Sequence, residues 1–332
     1  MGANWMKQIG KRMYKLFSGS RFSLHIIWKY ERIMFVFLSA AALAGAVGGI
    51  ISVLFPKVLL DGLADRDSSA VIISVVAFSI CRGALFILES WGNQRSNLCS
   101  RRIQVFLETS LAEQLASLRY GQLEEPGNLK KYEFARNCVE KSNVESCVRA
   151  VFRILSALIV TGSVFYILRG LPWWILAVIL SVVIVNVAGQ MAAARYTYQE
   201  MEEETPTERE LYYFRGRLMN QEYAKEIRSF QLIPYILDRT REAVEGFFRD
   251  YMKKHNKLLW WVYIASGIQS FLFYLYNGSL LWQGSITAGT FMMNVSALFQ
   301  LSGSLNEMFS QFTSMEEQEM YLQGYREFLG LQ

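Results

Sequence analysis

The chain has 332 residues and a formal net charge of +5; 52% of its residues are hydrophobic and 19% are charged. The charged fraction is too high for a chain lying wholly in lipid, so much of the chain must lie outside any bilayer. A nucleic-acid-binding domain would need a basic face with interleaved aromatic residues, and the sequence has none. The four cysteines form no CxxC pair and only two histidines are present, so we expect no metal site.

Long apolar runs predict membrane-spanning helices. Residues 258–306 contain no Lys, Arg, Asp or Glu. About 20 apolar residues cross the hydrocarbon core, so this stretch accommodates two spans with a short polar turn at 283–289 between them. The first run is expected to end at Pro56. Together the apolar runs predict six spans, at 33–55, 70–88, 153–168, 171–194, 258–282 and 290–312.

The connections between these spans alternate in length and in charge. Those after the first, third and fifth spans are short and carry few cations, whereas those near 89–151 and 195–257 are long. The N-terminal segment, residues 1–32, is rich in Lys and Arg, and residues 6–17 form a basic amphipathic stretch typical of an interfacial helix. The positive-inside rule therefore places both termini and both long connections in the cytoplasm.

Each long connection is predicted to be a helical hairpin, because structureless stretches of 60 residues are rare in compact proteins. The first connection has a break at 124–128, which separates predicted helices at 100–120 and 129–146. In the second connection, Pro206 follows Thr205 in an N-cap pattern and predicts a kink or a new helix start.

Several local patterns then suggest a family. They are FPKVLLD at 55–61, LRYGQLEEPGNLKKYEFARN at 118–137, QEYAKEIRSF at 221–230, GSITAGTF at 284–291 and YREFL at 325–329. In their order and spacing, these patterns resemble the transmembrane domain of an ABC exporter, with its first-span end, two intracellular hairpins, outer loop and junction to the ATPase domain.

The resemblance implies an all-α membrane protein with six transmembrane helices and two long cytoplasmic hairpins. Residues 1–332 would form one such domain. It would consist of an N-terminal interfacial segment (1–32), the spans with their hairpins (33–312) and a cytoplasmic extension toward an ATPase domain (313–332). The expected location is a bacterial plasma membrane, as a multi-pass protein.

The implied function is that of a permease domain, which provides the substrate pathway and couples ATPase motion to alternating access. The chain lacks the G-x-x-x-x-G-K-[ST] pattern that cradles phosphates, so we expect no cofactor here and ATP with Mg²⁺ in an associated ATPase domain. Whether enzymatic activity belongs to this chain is left open. The expected partners are a nucleotide-binding domain, a second exporter half as a homodimer or heterodimer, and the lipid bilayer, but no nucleic acid.

In the family, coupling helices at the hairpin tips dock into grooves on the ATPase domains. By resemblance, the first tip comprises Leu123, Glu124, Glu125, Asn128, Leu129 and Tyr132. The second comprises Leu218, Met219, Glu222, Tyr223 and Lys225. The alternative is that both tips are ordinary solvated turns.

Polar residues within the predicted spans are candidates for a substrate pathway. They are Arg82, with Glu89 just after the same span, Asn186, Gln190, Asn277 and Asn294, and the adaptable apolar residue Met293 is a further candidate. Arg82 lies near the middle of its span, where a charge is costly and marks a functional hypothesis. The alternatives are a structural ion pair for Arg82 and interhelical hydrogen bonds for the amides.

Two other classes of protein remain possible from the sequence. One is a non-transporting membrane assembly or regulatory protein that keeps the fold. The other is a secondary transporter, which is disfavoured because the sequence shows no paired broken spans and no inverted repeat.

Overall fold

The computed structural model describes residues 19–66, 68–119, 121, 125–170, 172, 177, 181–182, 184–185, 188–189 and 221–331. Throughout these residues the regular secondary structure is helical, which confirms the predicted all-α class. The chain divides into two compact units. The first combines Met1–Pro172 with Phe273–Gln332, and the second is Trp173–Leu272.

The first unit begins with a helix at 19–30, here α1. It is followed by α2 (Ile33–Ala64), α3 (Ser68–Ser117), α4 (Pro126–Glu140) and α5 (Asn143–Ile167), with a 3-10 turn at Leu168–Gly170. The second unit contains a 3-10 turn at Gln221–Tyr223 and the short helix α6 (Ala224–Ser229). The helix α7 (Ile233–Trp282) runs from the second unit into the first, and α8 (Ala288–Leu329) belongs to the first.

Three helices of the described part are long and apolar enough to cross a membrane: Ile33–Ala64, Val71–Ser117 and Asn143–Gly170. They contain the first three predicted spans. The predicted fifth and sixth spans lie within α7 and α8, and most of the fourth lies outside the described residues. The six-span count and the two hairpins therefore stay predictions.

The first predicted span ends at Pro56, but the helix that contains it does not. Pro56 lies inside α2, which continues to Ala64, and the helix end is closed by the Asp65 N–H on the Asp61 carbonyl and the Arg66 N–H on the Leu63 carbonyl. A proline removes one hydrogen bond from a helix and kinks it, but it ends the helix only if the following residues gain no packing. Here α2 packs along α3 and α8.

The prediction of one helix over 129–146 is wrong, because the chain turns at Ser142. This residue has φ of 52° and separates α4 from α5. The Ser142 N–H donates to the Val139 carbonyl at 3.0 Å and closes the turn. Ser142 and Glu145 have the spacing of a capping box. The Ser142 side chain makes no cap bond, however, and Glu145 is buried instead.

The hydrophobic core cluster of the first unit includes α1 and the start of α2 (Met34 and Leu38). It joins them to the C-terminal half of α3 (Ile103, Leu107 and Leu111), α4, the start of α5 and the C-terminal half of α8. Tyr325 and Phe328 of α8 are 1% and 0% exposed. The long helices are thus held together by a packed core at one end of the unit.

Candidate functional site

A cavity of about 610 Å³ lies within the first unit, lined by residues of α2, α3, α5 and α8. Its lining combines an apolar part, which includes Leu38, Phe152 and Val160, with a charged and polar part. The charged and amide side chains are Arg82, Glu89, Asn93, Arg149, Arg153, Gln300 and Glu307. A charged cavity between apolar helices is unusual, because ionised groups are expensive to keep away from water.

Glycines of α2 make room for the polar side chains of its neighbours. A β-carbon at Gly48 would overlap the Arg82 guanidinium, and one at Gly49 would lie 2.8 Å from Gln300 Nε2. A β-carbon at Gly45 would lie 3.4 Å from Glu89 Oε1. Side chains of α3 and α8 therefore pack directly against one glycine-rich face of α2.

Arg82 has no partner for one of its nitrogens. Its Nη1 atom is buried and makes no hydrogen bond within the described part of the chain, and none of the ion pairs found there includes Arg82. Leaving a buried charged donor unsatisfied costs more than the roughly 1–3 kcal/mol of a neutral group. The structural ion pair considered for Arg82 is therefore not formed with any described residue.

Several other polar groups around the cavity form hydrogen bonds within the protein. Arg149 Nη2 donates to Asn97 Oδ1 at 2.8 Å. The Ser156 hydroxyl donates to the Ala42 carbonyl at 3.0 Å, and the Thr161 and Ser304 hydroxyls are 3.0 Å apart. These bonds join the helices around the cavity, and none of them involves Arg82.

The predicted pathway residues separate into two groups. Arg82 and Glu89 line the cavity. Asn294 Nδ2 instead donates to Asn277 Oδ1 at 2.8 Å, and both side chains are buried. Met293 is buried beside Asn294 in the sequence and does not line the cavity. Asn186 and Gln190 lie outside the described residues.

The first predicted coupling tip is described in part. Glu125 precedes α4, and Asn128 Nδ2 donates to its carboxylate at 3.1 Å. The Tyr132 ring packs against Phe328 with centroids 5.5 Å apart, which ties it to the core. Leu123, Glu124 and the side chain of Leu129 lie outside the described residues.

At the second predicted tip, Glu222, Tyr223 and Lys225 are exposed on the turn and short helix that precede α7. A reversal follows at Gln231, where φ is 50°. Leu218 and Met219 lie outside the described residues.

Sequence reasoning missed five charged or amide residues of the cavity: Asn93, Arg149, Arg153, Gln300 and Glu307. A signal for two of them was present. Arg149 and Arg153 are four residues apart and therefore share one helix face at the start of α5. The spacing of Gly45, Gly48 and Gly49 likewise indicates a face of α2 with little side-chain bulk. Across the described residues no group of His, Cys, Asp and Glu is arranged to hold a metal ion.

The arrangement is suited to binding rather than to covalent chemistry, since it combines fixed charges, amides and an apolar wall. No protein-family model matches the chain, and no curated protein matches it either.

Proposed function

We propose that this chain is the membrane-spanning domain of an ATP-driven exporter of the ABC type, with six spans and two cytoplasmic helical hairpins. The observation that carries the proposal is helix length. α3 has 50 residues, which is about 75 Å at 1.5 Å per residue, whereas the hydrocarbon core is about 30 Å thick. Apolar helices that extend this far beyond a bilayer fit a transporter whose spans continue into cytoplasmic stalks.

The packed core of these extensions supports the proposal. Leu107 of α3 and Leu322 and Phe328 of α8 are at most 2% exposed, although they lie far along their helices from the apolar segments. A stalk with a close-packed interior moves as a rigid body and transmits displacement, because packed interiors have low compressibility. Such a stalk would carry motion from an ATPase domain to the spans.

The second tip also supports the proposal. Tyr223 is 36% exposed and belongs to a short helical segment that ends at the reversal near Gln231. Exposed tyrosines are frequent anchors at protein interfaces. In the proposed complex this segment docks on the ATPase domain, and the cavity lined by Arg82 provides part of the substrate pathway.

Coupling is tested with Tyr223→Ala in the complete complex with its ATPase and second half. Truncating an interface anchor costs about 2 kcal/mol or more, so we expect ATP turnover to lose its response to substrate. The matched control is Tyr166→Ala, because Tyr166 is 66% exposed at the C-terminal end of α5. Equal transport by both variants would remove the second tip from the coupling role.

Topology and assembly are tested separately. Single cysteines at Tyr223 and at Gly170 should react with an impermeant thiol reagent from opposite sides of the membrane. Labelling of both from the same side would overturn the proposed orientation. A particle that contains one copy of the chain, without a second half or an ATPase, would overturn the assembly.

A further inference from the structure

The cavity carries more positive than negative charge. Three arginines (Arg82, Arg149 and Arg153) and two glutamates (Glu89 and Glu307) line it, which gives 3 − 2 = +1. Among the described residues neither glutamate forms an ion pair with an arginine. The charges of the cavity are therefore not paired with one another in salt bridges among the described residues. One further negative charge would bring the formal net charge of the lining to zero.

The position of Arg82 offers a place for that charge. Its Nη1 atom is buried against Gly48 of α2 without a partner among the described residues, and it is the rest of the side chain, which lines the cavity, that a ligand can reach. A guanidinium presents its donors in a fork that matches carboxylate, sulfate or phosphate oxygens. Arg149, by contrast, already donates to Asn97.

Part of the lining can contact an apolar body. Leu38 of α2 with Phe152 and Val160 of α5 form this apolar wall, although Arg153 and Ser156 of α5 line the same cavity. Ligand cavities of about 300–1,000 Å³ accept drug-sized molecules, and they combine an apolar wall with a few polar groups that fix orientation. A cavity of 610 Å³ lies in that range.

We propose that this cavity binds an amphiphilic organic anion, with its single acidic head group on Arg82 and its apolar part against the wall of Leu38, Phe152 and Val160. The inference deepens the proposed exporter function and rests on it only in making this anion the transported molecule. Gln300 lies against Gly49, next to the head-group position, and provides an amide for a second oxygen of the same group.

The test uses the full chain, purified in neutral maltoside micelles, and three probes with the same tail: dodecyl phosphate, dodecyltrimethylammonium and dodecanol. Native mass spectrometry counts the probe molecules bound to each chain. We expect one dodecyl phosphate per chain and no comparable binding of the cation or the alcohol. Since a charged hydrogen bond contributes about 1.5–3 kcal/mol, Arg82→Gln should weaken binding of dodecyl phosphate by about tenfold or more.

Two further variants keep this test decisive. Arg101→Gln makes the same charge change on α3 at an exposed position that does not line the cavity, and it should leave binding unchanged. Arg82→Lys keeps the charge but loses the fork, so it should bind the phosphate more tightly than Arg82→Gln does. Melting curves of each variant establish that it is folded.

The acidic group can belong to a lipid or to a soluble compound, and nanodiscs distinguish these sources. The chain is reconstituted in phosphatidylcholine with and without phosphatidylglycerol. If the protein retains one phosphatidylglycerol molecule and dodecyl phosphate displaces it, the acidic group belongs to a lipid. Binding of dodecyl phosphate without such retention identifies a soluble organic anion.

Two results would overturn the site. One is equal binding of all three probes, and the other is a folded Arg82→Gln protein that binds dodecyl phosphate as the parent does. The exporter proposal is tested independently, because binding requires neither ATP nor a partner. If the anion binds but the complex with an ATPase transports nothing, the binding site is supported and the exporter function is contradicted. If the complex transports but the anion does not bind, the exporter function is supported and the binding site is contradicted.

Discussion

The Arg82 guanidinium lies against the backbone of Gly48, in a space that any larger residue would fill. The charge comes from α3 and the space from α2, so neither helix alone forms the feature. Gly45 and Gly49 extend the same face of α2 toward Glu89 and Gln300. The polar cavity therefore depends on the absence of side chains as much as on the presence of charges.

Gly48→Ala should move the Arg82 guanidinium away from α2 rather than unfold the protein. The added β-carbon overlaps Arg82 Nη1, the far end of a flexible side chain that can move aside at little cost, and alanine gains at most about 1 kcal/mol in helix propensity. We expect the temperature of thermal unfolding in detergent to change little, whereas binding of dodecyl phosphate should weaken because Arg82 is displaced. Gly83→Ala is the control, because nothing lies within 4 Å of its β-carbon and it should leave binding unchanged. A folded Gly48→Ala protein that binds dodecyl phosphate as the parent does would contradict the placement of Arg82.

The Asn277–Asn294 hydrogen bond should couple the two residues energetically. Asn294→Leu leaves the Asn277 Oδ1 atom buried without its donor, which costs about 1–3 kcal/mol. Asn277 Nδ2 keeps its bond to the Phe273 carbonyl at 3.0 Å. A double-mutant cycle with Asn277→Leu should give a coupling of about 0.6–1.7 kcal/mol, as interhelical bonds in membrane proteins do. Strict additivity would show that the bond contributes nothing.

Gly289→Ala should separate the start of α8 from α2. The new β-carbon would lie 2.6 Å from the Lys57 carbonyl oxygen, a backbone atom that cannot rotate away. We expect a loss of about 1–3 kcal/mol in the free energy of unfolding. Gly278→Ala, where nothing lies within 4 Å of the β-carbon, makes the same chemical change in α7 and should be tolerated. Chemical denaturation of both variants provides the comparison, and equal midpoints would count against this contact.

The buried thiol of Cys138 should make stability fall at alkaline pH. Burial raises the pKa of Cys138 from 9.0 to about 12, with Glu145, Cys147 and Glu319 adding to the shift. The folded thiol thus stays protonated while the unfolded one ionises. Its contribution is complete below pH 9 and is lost between pH 9 and about 12, at about 1.4 kcal/mol per pH unit.

Comparison with Cys138→Ala isolates this effect. Burial also raises the pKa of the Tyr325 hydroxyl in both proteins, and the charge of Cys138 adds to that shift, so the difference contains the Cys138 thiol together with its coupling to Tyr325. The free energy of unfolding should therefore fall more steeply with pH above 9 in the parent than in Cys138→Ala. Parallel pH profiles would mean that the Cys138 thiol is hydrated.

Local sequence features determined the helical class and the start of several elements. The uncharged run from Ile33 and the polar turn before α8 lie where the structure has a helix start and a helix break. Thr287 caps α8 by accepting from the Thr290 N–H at 3.1 Å, an interaction that needs only neighbouring residues. Such features are predictable because hydropathy and capping are properties of a few consecutive residues.

Helix ends that depend on packing were not predictable in the same way. Pro56 does not end α2, because contacts continue beyond that point: Gly62 lies near Val71 of α3, and the Lys57 carbonyl lies near Gly289 of α8. Ser142 does end α4, although nothing in 129–146 is as strong a breaker as proline. In both places contacts from residues distant in sequence decide the result.

By itself the sequence determined that the chain is helical, where its apolar segments lie, and that Arg82 is a charge within one of them. Only the tertiary structure decided that Arg82 meets Gly48, that Arg149 and Arg153 share its cavity, and that Asn277 and Asn294 bond to each other instead. The physical reason is that the sequence does not specify how each helix is rotated about its own axis. Periodicity determines which residues share a face of one helix, but the packing of all the helices together determines which faces contact each other.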